Sequence, residues 1–249
     1  MPTVILVRHG RSSANTAGVL AGRTRGVHLD DTGVEQAVAV GERLAGVRLA
    51  AAVSSPLERC RETCKEITAR QAAPLRASTD KQLSECDYGE WQGRALKELA
   101  REKLWKVVQA QPSAATFPGG ESMRSMQDRA VAAIRRHDVR IAAEHGEHAV
   151  WVAVSHGDVI KSILADALGT HLDLFQRIHV DPASVSLVRY TDSRPFVLGT
   201  NTHGGDLSWL TPPAKARRTS RTSRAASTDA MVGGGAGPGT PERAQTAGS

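Results

Sequence analysis

Apolar residues fall along this chain in two arrangements: short unbroken runs, and longer stretches in which they return every three or four positions. Val4-Ile5-Leu6-Val7, Leu49 to Val53 and Ala149 to Val154 are the short runs. Runs of this length without polar alternation predict strands buried on both faces of a parallel sheet. Leu75 to Leu83 adds a short edge strand, Ser184 to Tyr190 alternates as a strand should, and Phe196 to Thr200 is the last. Between the runs, Val34, Ala37, Val38, Gly41, Leu44 and Ala45 recur at helical spacing behind a cap at Asp31 or Thr32. Pro56 fits the first turn of a helix that reaches roughly Ala69. Arg94 to Gln109 and Ser122 to Glu144 read as helices of a cap-like insertion, divided by the Pro112 to Gly120 connection, and Asp158 to Leu168 is a further helix. Strand and helix alternate, which predicts an α/β fold with three α/β/α layers around a mostly parallel open sheet.

Composition bounds this picture more than it changes it. With 249 residues and 40% hydrophobic content, the chain is sized for one large domain, expected over residues 1–210. Beyond Leu210 periodicity stops and Pro, Ala, Ser, Thr, Gly and Arg take over, so residues 211–249 are expected to form a disordered basic tail. That tail carries six cations against two carboxylates, or four of the six net positive charges, leaving two for residues 1–210. The basicity is therefore no argument for specific nucleic-acid binding by the domain. No apolar run approaches the ~20 residues that cross a bilayer, and Met1-Pro2-Thr3 leads directly into the first strand, so a soluble, cytoplasmic protein without a membrane partner is expected. Cys60, Cys64 and Cys86 are odd in number and fit no zinc spacing, which predicts reduced packing thiols rather than a disulfide or metal site.

Chemistry gathers where the apolar runs end. Arg8-His9-Gly10 closes the first, Ser54-Ser55-Pro56 closes the second and leads to Arg59 in the next helix, and Ser155-His156-Gly157 closes the third. Right-handed crossovers return parallel strands to one sheet edge, so these ends can converge where ligands of open α/β sheets bind. Two guanidiniums with two imidazoles make a poor metal site and a good phosphoryl site, because phosphate oxygens accept paired hydrogen bonds. Guanidiniums beside His9 should lower its pKa and keep it unprotonated, as a nucleophile or a base must be. Taken singly, each residue has an ordinary structural explanation; it is their common placement that argues for catalysis.

Leu6-Val7-Arg8-His9-Gly10, followed by Ser12 and Asn15, resembles the signature of the histidine phosphatase superfamily, the phosphoglycerate mutase-like group. The resemblance continues in order through Leu29, Gly33, Gln36 and Ala37; Ser54-Ser55-Pro56-Leu57 with Arg59 and Thr63; Glu85 with Tyr88-Gly89-Glu90-Trp91-Gln92-Gly93; Gly119-Gly120-Glu121-Ser122; and Ser155-His156-Gly157. It covers about residues 3 to 200 and implies one antiparallel strand in the sheet. By this resemblance His9 receives the phosphoryl group, while Arg8, Arg59 and a protonated His156 bind its oxygens. Asn15, Gly22 and the Gly157 backbone assist substrate binding, and Glu85 is the general acid and then the base. No metal and no cofactor is implied, the expected partner is a small anionic phosphorylated metabolite, and the sequence leaves the oligomeric state open, a homodimer being the form that relatives often take.

Two positions depart from the mutase pattern: Arg11 stands where mutases usually carry Glu, and Ala14 where they usually carry Trp. The segment after Glu85 also resembles the phosphatase pattern more than the mutase one. Phosphomonoester hydrolysis is thus the expected activity, with a phosphomutase and a noncatalytic phospho-ligand module as the alternatives. His28, His171, His179 and His203 are expected to be structural, and Trp91 and Trp105 to be packing residues.

Overall fold

The structure is a computed structural model that describes residues 2–207 and 210; the tail expected over 211–249 lies outside the described residues. Among these residues one sheet holds β1 (Thr3–Arg8), β2 (Leu49–Ser54), β3 (Ala77–Thr79), β4 (Val150–Ser155), β5 (Val185–Tyr190) and β6 (Pro195–Thr202), in the order β3-β2-β4-β1-β5-β6. β1 to β4 are mutually parallel, β5 is antiparallel to β1, and β6 is antiparallel to β5. Only β5 therefore runs against the others.

β1 shows why its sequence is apolar at consecutive positions. Val4 and Leu6 pack on the face covered by α6 (Met123–His145) and α7 (Gly157–Ala167). Ile5 and Val7 pack on the opposite face, with α2 (Asp31–Leu44) and α3 (Glu58–Ala69). All four are fully buried, and each such side chain contributes about 1.5–3 kcal/mol of transfer free energy. With helices on both faces, the carboxyl ends of β1, β2 and β4 are left at one edge, and Arg8, Ser54 and Ser155 are their last residues.

Several local expectations are corrected. α2 is capped by Asp30, not Asp31 or Thr32: the Asp30 carboxylate accepts from the Gly33 N–H at 2.8 Å, from Arg11 Nε at 2.8 Å and from Thr16 Oγ1 at 2.7 Å. Pro56 lies before α3, whose cap position is Leu57. The expected 94–109 helix is two short ones, α4 (Leu96–Leu99) and α5 (Lys103–Ala110). Its start is held extended because Val19 and Ala95 form a bridge, with the Leu20 N–H donating to the Arg94 carbonyl and the Leu96 N–H to the Gly18 carbonyl. α6 is no cap: Met123, Met126, Ala130, Ala133, Ile134 and Ile141 form a buried stripe packed against the sheet. The edge strand shrinks to three residues because Asp80 starts a 3₁₀ turn and binds Arg136 and His137 of α6. A five-residue helix, α1 (Ser13–Ala17), was not anticipated.

One backbone contact fixes the end of β1. A Cβ on Gly33 would lie 1.9 Å from the Arg11 carbonyl oxygen, and one on Gly10 would lie 2.4 Å from the Gly33 carbonyl oxygen. The first turn of α2 thus rests directly on the segment after His9, and no side chain larger than hydrogen fits at either position. Among the described residues, no helix is long and apolar enough to cross a membrane.

Candidate active site

His9 is held by its backbone before its ring does anything. Its N–H donates to the Ser155 carbonyl at 3.0 Å, its carbonyl accepts from the Ala183 N–H at 3.2 Å, and the following Gly10 N–H donates to Thr63 Oγ1 at 3.1 Å. The ring lies between a carbonyl and a guanidinium. Nδ1 is 2.6 Å from the Gly10 carbonyl oxygen, which can only accept, and Nε2 is 3.2 Å from Arg59 Nε, which can only donate. The tautomer follows: the proton is on Nδ1 and the lone pair is on Nε2. Burial lowers the His9 pKa well below 6.5, and Arg59 and Arg8 lower it further. The sequence argument named the guanidiniums; burial is the larger cause.

Arg59 connects both imidazoles. It is buried, and its Nη2 donates to the Gly22 carbonyl at 2.8 Å and lies 3.2 Å from His156 Nδ1. His156 Nε2 in turn lies 2.8 Å from Ser55 Oγ and 3.4 Å from Cys60 Sγ. The two imidazole centroids are 5.2 Å apart. Burial first, then Arg59, lowers the His156 pKa well below 6.5. His156 is accordingly neutral here, which corrects the expectation of a protonated ring: the same guanidinium that gathers the site disfavours a third positive charge.

Arg8 Nη1 donates to the Val180 carbonyl at 2.7 Å, and the guanidinium passes 3.5 Å from where a Cβ on Gly157 would stand. Arg8 Nε and Arg59 Nη1 are buried with no hydrogen-bond partner in the protein. Among the described residues no carboxylate is ion-paired to either guanidinium. Unpaired buried donors are costly, and each of these two N–H groups is available to an oxyanion.

Glu85 lies in the loop before a 3₁₀ turn at Gly89–Trp91, with its Oε1 accepting from the Cys86 N–H at 2.9 Å. Its carboxyl is pushed up to about 7, by burial first and then by Asp158, against the opposing pull of the Cys86 N–H, Arg59 and Arg8. The increase thus arises from the protein's own burial and Asp158. Tyr88 donates to Asp158 Oδ2 at 2.7 Å.

The substrate-binding candidates divide. Gly22 reaches the cluster through its carbonyl on Arg59, and Gly157 through its packing on Arg8. Asn15 instead belongs to α1, with Oδ1 accepting from the Ser12 N–H at 3.0 Å and Ser12 Oγ at 2.8 Å. Among the described residues, no hydrogen bond joins it to His9, His156, Arg8 or Arg59. Arg11 likewise points to Asp30. Ser55, Thr63, Cys60 and the Val180 carbonyl had no assigned role in the sequence. Ser55 and Thr63 stood inside recognised motifs, whereas a main-chain carbonyl such as that of Val180 carries no sequence signal. Burial pushes the Cys60 thiol up, so it is a neutral neighbour of His156. Among the described residues, no group of three or more His, Cys, Asp or Glu is placed to hold a metal ion.

The model of the histidine phosphatase superfamily (branch 1) matches residues 4–203. A bifunctional protein of Mycobacterium tuberculosis is 33% identical over 204 residues, a match that covers 81% of this chain and 54% of that protein. The chain thus spans about half the length of the first curated relatives it matches. Phosphoserine phosphatase 1 of Hydrogenobacter thermophilus is 29% identical over 207 residues, covering 81% of this chain and 92% of its own. The crystal structure of a phosphoserine phosphatase from Entamoeba histolytica in complex with 3-phosphoglyceric acid superposes with a TM-score of 0.70 at 21% identity, covering 81% of this chain and 98% of that one. That last likeness is one of fold.

Proposed function

Because the chain belongs to the histidine phosphatase superfamily, we propose that it hydrolyses a small phosphomonoester through a phosphohistidine on His9. The observation that carries this reading is the pair of buried, unpartnered donors, Arg8 Nε and Arg59 Nη1, on the two guanidiniums that accompany a histidine whose tautomer leaves the lone pair on Nε2, where Arg59 Nε donates to it. In the first step Nε2 forms a bond to phosphorus as the ester P–O bond breaks, and Glu85 gives its proton to the departing alkoxide. In the second, the Glu85 carboxylate takes a proton from water as its oxygen bonds to phosphorus and the P–N bond breaks. Arg8 and Arg59 neutralise charge spread over the equatorial oxygens, the main requirement of phosphoryl transfer. None of these roles needs a metal or cofactor. A phosphorylated metabolite is the proposed substrate class; phosphoserine is what a relative's name says it acts on.

Assay of phosphate release from a panel of phosphomonoesters, across pH, tests the reading. Glu85 is needed protonated in the first step, so kcat/KM for an alkyl phosphate is expected to fall as pH rises through about 7. His9 is needed unprotonated, and its lowered pKa puts any loss from its protonation well below 6.5. A profile flat through pH 7 with alkyl esters would remove Glu85 from the acid role. Tight phosphate binding without turnover of any ester would favour the noncatalytic module.

A further inference from the structure

We propose that Glu121 is a positioning residue for Glu85, acting through Arg23 and Arg129; the proposal rests on the reading of Glu85 as the acid and base. Among the described residues the Glu85 carboxyl has one hydrogen bond, from the Cys86 N–H, so its place depends on where its backbone is held. The Glu85 carbonyl accepts from two guanidiniums, Arg23 Nε at 2.9 Å and Arg129 Nη2 at 3.0 Å. They approach from different parts of the fold: Arg23 from the loop after α1, Arg129 from α6.

Glu121 is what lets two cations converge on one carbonyl. Its Oε1 accepts from Arg23 Nη2 at 2.8 Å, Arg129 Nη2 at 2.7 Å and the Asp87 N–H at 2.8 Å, and its Oε2 accepts from Arg129 Nε at 2.9 Å. The Arg129 contact is the two-pronged fork that fixes orientation as well as distance. Arg129 Nη1 also donates to the Gln82 carbonyl at 2.6 Å. The strand of loop on either side of Glu85, from Gln82 to Asp87, is thereby pinned to one carboxylate. The Gly119-Gly120-Glu121-Ser122 motif, which the chemistry of phosphoryl transfer left without a role, supplies it.

The same network sets a distance across the site. Gly22 holds Arg59 through its carbonyl, and the next residue, Arg23, holds Glu85 through the loop backbone. Phosphate-binding guanidinium and proton donor are therefore referred to adjacent residues. An error of about 1 Å in such a spacing can cost on the order of a hundredfold in rate.

Removing the charge in Glu121→Gln leaves Arg23 and Arg129 facing each other over a weaker acceptor, and the Glu85 loop loses its reference. The test compares an alkyl phosphate, whose leaving oxygen must be protonated, with p-nitrophenyl phosphate, whose leaving group needs little help. Glu121→Gln is expected to lower kcat/KM, which reports the phosphorylation step, by about ten- to a hundredfold for the alkyl ester and by less than about threefold for p-nitrophenyl phosphate, while the water step common to both slows and gives a burst of p-nitrophenolate. Inhibition by inorganic phosphate should hold, since Arg8 and Arg59 are untouched. Arg129→Lys, which keeps the charge and loses the fork, should give the same pattern at smaller size and stands in if Glu121→Gln fails to fold. Equal losses of kcat/KM with both esters, or none, in the folded variants would overturn the positioning role. Wild-type protein that hydrolyses neither ester removes the parent reading and this role with it; wild-type protein that hydrolyses both separates the two questions.

Discussion

Replacing His9 by alanine is expected to lower phosphate release by about a thousandfold or more, because the attacking lone pair disappears and no other group in the cluster can replace it. His156 stands 5.2 Å away between ring centroids, but its Nδ1 faces Arg59 and its Nε2 faces Ser55. The backbone contacts that place His9 run through Ser155, Ala183 and the Gly10–Thr63 pair and do not involve the imidazole. The variant should therefore fold, as circular dichroism and thermal melting would show, and should still bind inorganic phosphate through Arg8 and Arg59. Wild-type turnover is expected to be unchanged in EDTA. Residual turnover in His9→Ala near the wild-type rate, or wild-type activity that vanishes in EDTA and returns with magnesium, would sink the phosphohistidine mechanism.

The second large effect is expected at Glu85. Water must be activated to release phosphate from His9, and the leaving oxygen must be protonated to form the phosphohistidine, so Glu85→Gln should impair both steps with an alkyl phosphate, each by about 10²–10⁴-fold. With p-nitrophenyl phosphate the first step needs little protonation and should survive better than the second. Rapid quenching is then expected to show a burst of p-nitrophenolate and protein-bound phosphate that is stable to base and labile to acid. A trapped phosphoryl group that drains only when a phosphorylated acceptor is added, in wild type as well, would make the protein a mutase. Position 11 bears on that choice: the arginine standing where mutases usually carry glutamate is tied to Asp30.

The ends of β1, β2 and β4 were legible because buried parallel strands are written as unbroken apolar runs, and the residue after such a run has few places to go. The reversal of β5 came from family resemblance, since Ser184 to Tyr190 carries no mark of direction. Helix boundaries near 94 were misread because the bridge between Val19 and Ala95 overrides a helical pattern from a segment some seventy residues away. α6 was misassigned for a related reason: an amphipathic stripe shows that one face is buried without saying what buries it. The neutrality of His156 depends on how many cations already share its burial, which no spacing records. Glu121 stood within a recognised motif, but its three-donor contact assembles from residues 23, 87 and 129 and exists only once the chain is folded.

Arg8 Nε and Arg59 Nη1, donors without a protein partner, carry an expectation for stability as well as for catalysis. An oxyanion that they bind favours the native over the unfolded chain by mass action, worth about 2.7 kcal/mol at a hundred times its Kd. For a domain of this size that corresponds to roughly 5–10 °C in melting temperature, measurable by scanning calorimetry with and without inorganic phosphate. Since proteases sample the opened chain, bound phosphate is also expected to slow proteolysis of the purified protein.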